Sequence, residues 1–381
     1  MPITAAGAPD SHRRAPAAVA LLERGIADGY HLGAQLEAWV DGAPAVHVAV
    51  GVARPGVAMT GATLLPWFSC TKIVTAVAVL QQWERGSLGL DEPVATFVPE
   101  FGANGKERVT VRHLLTHTAG IIGAVTGLDA WRLPWDEVVA RISAAPLDAG
   151  WVPGERAGYH PTTAFMMLGE VVRRLDGRAF DAYASEEIFE PLDMADSWLA
   201  LSPQRYASYG KRMGVMYDTS RKAAPVAVRG MDSARGFARV QPAGSGVGPM
   251  ADLVRLLEAL RRGGDLDGQR VLAGATVDAM TTRQRAGMRD ETFGMVIDWG
   301  LGVMVNSFAY RGRPTAYGYG RHAGPRAFGH GGSQSSIAFA DPDAGLSVAL
   351  CCNGMPGEAG NHRRTQPVLT ALYEDLGLDR R

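Results

Sequence analysis

Residues 67–85 read WFSCTKIVTAVAVLQQWER. Ser69 stands three residues before Lys72, and the apolar run Ile73–Leu80 predicts a buried helix. Residues at i and i+3 share a helix face, so the hydroxyl and the amine point the same way if the helix begins near Ser69. The helix N-terminus adds unpaired N–H groups and the positive end of the dipole. Since a buried lysine can lose its proton and accept one from a hydroxyl, the segment predicts a nucleophilic serine.

The S-x-x-K spacing occurs a second time, in SYGK at Ser208–Lys211. This copy contains a glycine and leads into no apolar helix, so we interpret it as a loop. Cys70 lies next to Ser69, but one step along a helix turns a side chain by about 100°. We therefore expect Cys70 to pack in the core and Ser69 to carry the chemistry.

The composition indicates a globular protein that can bury a large core. The chain has 381 residues, of which 46% are hydrophobic and 20% are charged, and a formal net charge of −1. This balance favours neither nucleic acid nor an anionic membrane as a partner. The three cysteines are Cys70, Cys351 and Cys352. They suggest no disulfide framework, and no Cys/His spacing resembles a zinc site, so we expect no metal and no cofactor. We recognise no signal peptide and no membrane span, and we expect a cytoplasmic protein.

Strand patterns lie towards both ends of the chain, and helical patterns fill the middle. The strand-like segments are 34–41, 45–53, 293–305 and 327–354. The helical segments are 11–28, 165–177, 180–192, 250–264 and 362–377, with a short helix in 109–121 that we expect to end at Gly120. We predict an α/β (α+β) fold in which one antiparallel sheet is built from both chain ends, flanked by helices, with a mostly helical region inserted. The predicted sheet domain comprises 1–80 and 265–381, and the helical insertion comprises 81–264, together forming one unit.

Two later motifs would complete a site around the serine. A serine nucleophile also needs a proton carrier for the leaving group and donors for the oxyanion. Tyr159 in YHP precedes a helical pattern, and a positively charged Lys72 nearby would favour its phenolate. The HGGS segment 330–333 enters a strand, where glycines let a substrate approach the backbone. The N–H of Ser333 would then point at a carbonyl oxygen.

In their order along the chain, these motifs resemble the serine β-lactamase and penicillin-recognising superfamily, in particular its class C-like esterases and acyltransferases. The resemblance covers roughly residues 20–355 and implies a β-lactamase-like fold. It implies that Ser69 is acylated, that Lys72 and Tyr159 share the base and acid roles, and that the N–H groups of Ser69 and Ser333 form the oxyanion hole. The residues assigned to substrate binding are His330, Gly331, Gly332 and His160. A structural role for His330 remains an alternative.

Two positions depart from the pattern of class C β-lactamases. Their tyrosine motif ends in Asn, whereas Pro161 has neither an amide side chain nor an N–H. Their third motif begins with Lys, whereas His330 is neutral or partly charged near pH 7. Both differences favour esters over lactams that carry a carboxylate.

We therefore expect hydrolysis of a small-molecule ester through an acyl-enzyme on Ser69. An alternative is a transacylase that passes the acyl group to an amine or alcohol acceptor. Further alternatives are a β-lactamase and a catalytically silent relative that binds acyl or peptide ligands.

Overall fold

The computed structural model describes residues 13–125, 131–221, 224–307, 310 and 317–379. The helices are α1 Pro16–Ala27, α2 Thr71–Glu84, α3 Val111–Leu115, α4 Trp135–Ala144, α5 Thr163–Asp176, α6 Phe180–Ala184, α7 Pro203–Tyr209, α8 Ala234–Phe237, α9 Met250–Arg261, α10 Gly274–Thr281 and α11 Glu358–Asp375. Single 3₁₀ turns are Phe68–Cys70, Val94–Thr96, Pro99–Gly102 and Gly210–Arg212, and a π-helical turn is Ser185–Phe189. Within these ranges, no helix combines the length and apolar character needed to span a bilayer. Residues 11 and 12 of the first predicted helix lie outside the described residues.

The strands build one large sheet and several short ladders. They are β1 Gly33–Val40, β2 Ala43–Arg54, β3 Val57–Ala58, β4 Leu65–Pro66, β5 Tyr217–Asp218, β6 Val226–Ala227, β7 Val247–Gly248, β8 Asp265–Leu266, β9 Gln269–Arg270, β10 Arg289–Asp290, β11 Met295–Val296, β12 Asp298–Trp299, β13 Met304–Val305, β14 Phe328–Gly332, β15 Ser336–Asp341, β16 Leu346–Cys352 and β17 Gly354–Met355. The eight-stranded sheet has the order β12-β13-β14-β15-β16-β1-β2-β3, and its neighbours are antiparallel.

The sheet joins the two ends of the chain, as predicted. β1 from the N-terminal part pairs with β16 from the C-terminal part, with Leu36 opposite Leu350. Asp41 and Gly42 between β1 and β2 have φ values of 48° and 90°, which suit a tight hairpin turn. The prediction of an antiparallel sheet from both chain ends, flanked by helices, is confirmed. The domain boundaries at 80/81 and 264/265 stay a prediction.

Helices cover both faces of the sheet, so every residue of β16 is buried. Leu350 faces one core with residues of α1 and α11, including Leu22 and Leu372. Its neighbour Cys351 points to the opposite face, into a core that includes Leu257 of α9. This alternation follows from the two-residue period of a strand.

Helix α2 lies in the core that contains Cys351 and is buried from Thr71 to Gln82. A helix that is apolar all round has no solvent face to present, which explains its burial. The chain enters it through the 3₁₀ turn Phe68–Cys70, where Phe68 has the unusual φ of 49°. Ser69 therefore lies in a tight turn at the start of a rigid helix.

Two local predictions were wrong. The helix within 109–121 is only the five residues of α3, because His117 adopts a left-handed φ of 57° before Gly120 is reached. Ser208 lies in α7 and not in a loop, but it is exposed, and its hydroxyl donates to the backbone oxygen of Arg205 at 2.8 Å. The second S-x-x-K match thus lacks the burial that the chemistry requires.

Candidate active site

Ser69 and Lys72 meet at the start of α2, as their spacing predicts. Lys72 Nζ lies 3.2 Å from Ser69 Oγ. The amine also donates to the backbone oxygens of Pro161 at 2.8 Å and Ala243 at 2.9 Å. Lys72 is 0% exposed. Two segments that are distant in sequence therefore hold the amine against the serine hydroxyl.

Burial determines the charge of this amine. It lowers the pKa of Lys72 well below the ordinary lysine value, because the charged form loses its hydration. A neutral amine keeps two hydrogens, which is the number of carbonyl oxygens that Lys72 contacts besides Ser69. Its lone pair then faces Ser69 Oγ, so Lys72 is placed to accept a proton.

Tyr159 approaches the same oxygen from another side. Its phenol donates to Ser69 Oγ at 2.8 Å, and Lys72 Nζ lies 5.1 Å from the centre of its ring. Burial raises the pKa of Tyr159 above the ordinary tyrosine value, which keeps the phenol protonated. This direction is opposite to the phenolate expected from the sequence, because the loss of hydration on burial dominates the pKa of Tyr159.

The predicted oxyanion donors lie on two elements that touch. Ser333 follows β14 directly, and Ser336 Oγ donates to the backbone oxygen of Trp67 at 2.7 Å. A Cβ on Gly332 would come within 2.3 Å of that oxygen, so only glycine permits this approach. Among the described residues, no backbone acceptor takes the N–H of Ser69 or Ser333. The oxyanion role of these two amides stays a prediction.

The two histidines of the motifs are buried and neutral. His330 is 1% exposed, its Nδ1 lies 2.6 Å from the oxygen of Gly331, and burial lowers its pKa to about 3. His160 is 0% exposed, its Nε2 accepts from the N–H of Ile121 at 3.1 Å, and burial lowers its pKa to about 3. The His160 ring therefore holds the backbone of Ile121, and its predicted role in substrate binding stays a prediction.

Gly331 has a packing role that its motif did not reveal. A Cβ at this position would lie 1.9 Å from a ring carbon of Tyr317. The glycine thus lets an aromatic ring cover the outer side of β14. The predicted substrate-binding roles of His330, Gly331 and Gly332 stay predictions.

Sequence reasoning did not predict which residues surround Tyr159. The rings of His117, Phe293 and Trp299 lie 4.7, 4.9 and 6.0 Å from the Tyr159 ring. Asp290 Oδ1 accepts from the N–H of Tyr159 at 3.0 Å. No motif or periodicity marks Asp290, because its partner lies 131 residues away.

Comparisons with known proteins show the family of the chain. Residues 18–372 match the model of the β-lactamase family. The chain is similar to esterase EstB of Burkholderia gladioli, with 33% identity over 328 residues that cover 77% of this chain and 79% of EstB. It is also similar to esterase/β-lactamase LipL of Mycobacterium tuberculosis, with 29% identity over 348 residues that cover 84% of this chain and 77% of LipL.

A solved structure adds a match in three dimensions. The crystal structure of a penicillin-binding protein homologue from Caulobacter crescentus superposes with a TM-score of 0.79 and 32% identity, covering 95% of this chain and 98% of that one. The chain belongs to the β-lactamase family.

Proposed function

We propose that this chain is a serine hydrolase that cleaves small-molecule esters through an acyl-enzyme on Ser69. One observation carries the proposal: Ser69 Oγ lies 3.2 Å from the buried amine of Lys72, whose pKa burial lowers, and 2.8 Å from the phenol of Tyr159, whose pKa burial raises. A base and an acid on the same nucleophilic oxygen are what acyl transfer requires. The similarity to proteins named esterases supports the same reaction.

In the acylation step, Lys72 accepts the hydroxyl proton as Ser69 Oγ attacks the ester carbonyl. The carbonyl oxygen takes the negative charge between the N–H groups of Ser69 and Ser333. Collapse of this intermediate breaks the bond to the alkoxide, which takes the phenol proton of Tyr159 and leaves as an alcohol. The ammonium of Lys72 returns a proton to the phenolate, so no net charge is gained.

Deacylation runs the same steps with water in place of the alcohol. Water attacks the acyl carbonyl while its proton passes to the Lys72–Tyr159 pair, and Ser69 regains its proton as the acid leaves. An alcohol or amine acceptor would enter at this step and would give a transacylation product. Product analysis in the presence of added alcohols and amines identifies any acceptor that outcompetes water.

The electrostatics of the site favour a neutral ester as substrate. Burial lowers the pKa of Lys72 well below the ordinary lysine value, which favours its uncharged form, and the pKa of His330 near 3 leaves that ring without charge at neutral pH. Neither group attracts a substrate carboxylate, although β-lactams of the penicillin type carry one. We therefore place ester hydrolysis ahead of lactam hydrolysis.

The test compares two serines that share the S-x-x-K spacing. We expect Ser69→Ala to lower kcat/KM for 4-nitrophenyl acetate by at least about 1,000-fold, because the nucleophile is lost. We expect Ser208→Ala, at the exposed second match, to stay within about twofold of the wild type. Activity that survives Ser69→Ala would overturn the proposal. Cytoplasmic residence stays a prediction, which fractionation of the native cells tests.

A further inference from the structure

The phenol of Tyr159 must keep its place against Ser69 if it is to hand over a proton, yet Tyr159 lies outside any helix or strand. We propose that Asp290 and Thr292, on the β10–β11 hairpin, are positioning residues for Tyr159. They hold its backbone and thereby keep its phenol in place for proton transfer to the leaving group. This inference rests on the proposed function, in which Tyr159 is the catalytic acid.

The hairpin binds both polar backbone atoms of Tyr159 with side chains. Asp290 Oδ1 accepts from its N–H at 3.0 Å, and the Thr292 hydroxyl donates to its carbonyl oxygen at 2.9 Å. The ring of Phe293, on the same hairpin, packs at 4.9 Å from the Tyr159 ring. One hairpin therefore contacts both polar backbone atoms of Tyr159 and also its ring.

Asp290 is itself held rigidly. It is 0% exposed, and its Oδ1 also accepts from the N–H groups of Thr292 and Phe293 at 3.0 and 3.1 Å. Its Oδ2 accepts from Arg285 Nη2 at 2.9 Å in a buried ion pair. A carboxylate that is fixed at both oxygens has little freedom to move, so the peptide N–H bound to it is fixed as well.

Arg285 anchors this carboxylate to the body of the protein. Its guanidinium donates to the backbone oxygens of Thr116 at 3.0 Å and Ile297 at 3.2 Å. The position of Tyr159 thus depends on a chain of contacts that runs from the segment before His117 through Arg285 and Asp290. Catalytic groups lose rate steeply when they shift by a fraction of an ångström to an ångström.

Thr292 offers the cleanest test, because its side chain is exposed and its removal leaves the buried ion pair intact. Thr292→Val replaces the hydroxyl with a methyl group of similar size. The matched control is Glu291→Gln on the adjacent residue, which breaks only the surface ion pair to Arg156 at 2.8 Å. We expect kcat for phenyl acetate to fall about 10-fold in Thr292→Val and to change less than about twofold in Glu291→Gln.

A double-mutant cycle with Tyr159→Phe separates positioning from general loss of structure. If Thr292 acts through the phenol, Thr292→Val costs less than about twofold once the phenol is absent. The loss in wild-type background should also be smaller for 4-nitrophenyl acetate than for phenyl acetate, since a better leaving group needs less help from an acid. Asp290→Asn should give the same pattern with a larger loss.

Three results would overturn the inference. Thr292→Val could leave kcat unchanged, or it could lower kcat equally in the wild-type and Tyr159→Phe backgrounds. Full activity of Tyr159→Phe would refute the acid role in the proposed function and this inference with it. A large loss in Tyr159→Phe with an additive Thr292→Val loss would refute the positioning role alone.

Discussion

Replacing Lys72 by methionine removes the amine while it keeps the length of the side chain. The amine contacts Ser69 Oγ at 3.2 Å and two backbone oxygens at 2.8 and 2.9 Å. Lys72→Met therefore deletes the proposed base and leaves two buried carbonyl oxygens without their donor. The first loss affects the rate, and the second affects stability.

The two effects differ in size. General base catalysis contributes roughly 100- to 10,000-fold, which corresponds to about 3–5 kcal/mol in the activation free energy. Each buried carbonyl that loses its donor costs about 1–3 kcal/mol of stability. The variant no longer buries a polar amine, and the desolvation free energy saved in this way offsets part of this cost. We expect kcat/KM to fall at least about 100-fold while the protein stays folded.

Lys106 provides a matched control. It is also 0% exposed, and its amine donates to the backbone oxygens of Ala103 at 2.8 Å and Ser143 at 3.1 Å and to that of Ala145. Lys106→Met thus makes the same chemical change and leaves carbonyls without a donor, but it touches no predicted site residue. We expect a similar drop in melting temperature and a kcat/KM within about twofold of the wild type.

The assay measures kcat/KM for 4-nitrophenyl acetate and the rate at which a fluorophosphonate labels the protein, with melting temperature as the test of folding. If Lys72→Met labels and turns over within 10-fold of the wild type, the base is elsewhere and the reasoning fails. Equal loss of activity in Lys72→Met and Lys106→Met would reduce the effect to general destabilisation.

Three further predictions follow from burial and close approach. The kcat/KM of the wild type should rise with pH as Lys72 loses its proton, at a midpoint well below the ordinary lysine pKa of about 10.4; an acid limb that persists in Lys72→Met would contradict this. Burial raises the pKa of Asp252 to about 6, so the folded state holds its proton more tightly and stability falls as pH rises from about 4 to 6. Asp252→Asn should therefore raise the melting temperature at pH 8 but not at pH 4, and a pH-independent difference would oppose this view. Gly332→Ala should lower kcat/KM at least about 100-fold, because its Cβ would lie 2.3 Å from the Trp67 oxygen; near-normal kinetics would show that the turn adapts.

Short-range sequence patterns predicted most of the strands and helices. Alternating apolar residues and the Asp41-Gly42 turn predicted β1 and β2 to within two residues of their ends. Gly177 ends α5 with a left-handed φ of 89°, as its position after the helical pattern predicted. These signals act between neighbours in sequence, so they are legible without coordinates.

The protonation states of the site could not be predicted in the same way. The charge on Lys72 and the proton on Tyr159 depend on how deeply other segments bury them. The charge of His330 could not be predicted either. Its motif predicted a substrate-binding residue, and its packing makes it a buried, uncharged ring. Burial is a property of the assembled chain, and four-letter motifs do not encode it.

The contacts that hold Tyr159 in place could not be predicted from sequence patterns either. Asp290 and Arg285 are five residues apart and form an ion pair. Asp290 also accepts from the backbone N–H of Tyr159, which lies 131 residues away in the sequence. Their sequence neighbourhood is polar and irregular, which is typical of a surface loop, yet both side chains are buried. Only the pairing of the hairpin with the segment before α5 reveals their partner.

The most direct measurement is the mass of the protein after reaction with an ester whose turnover is stopped by acid, followed by peptide mapping. We predict one added acyl group, carried by the peptide that contains Ser69, and no adduct in Ser69→Ala. An acyl group on another residue, or turnover of the ester without any adduct across all quench times, would contradict the account.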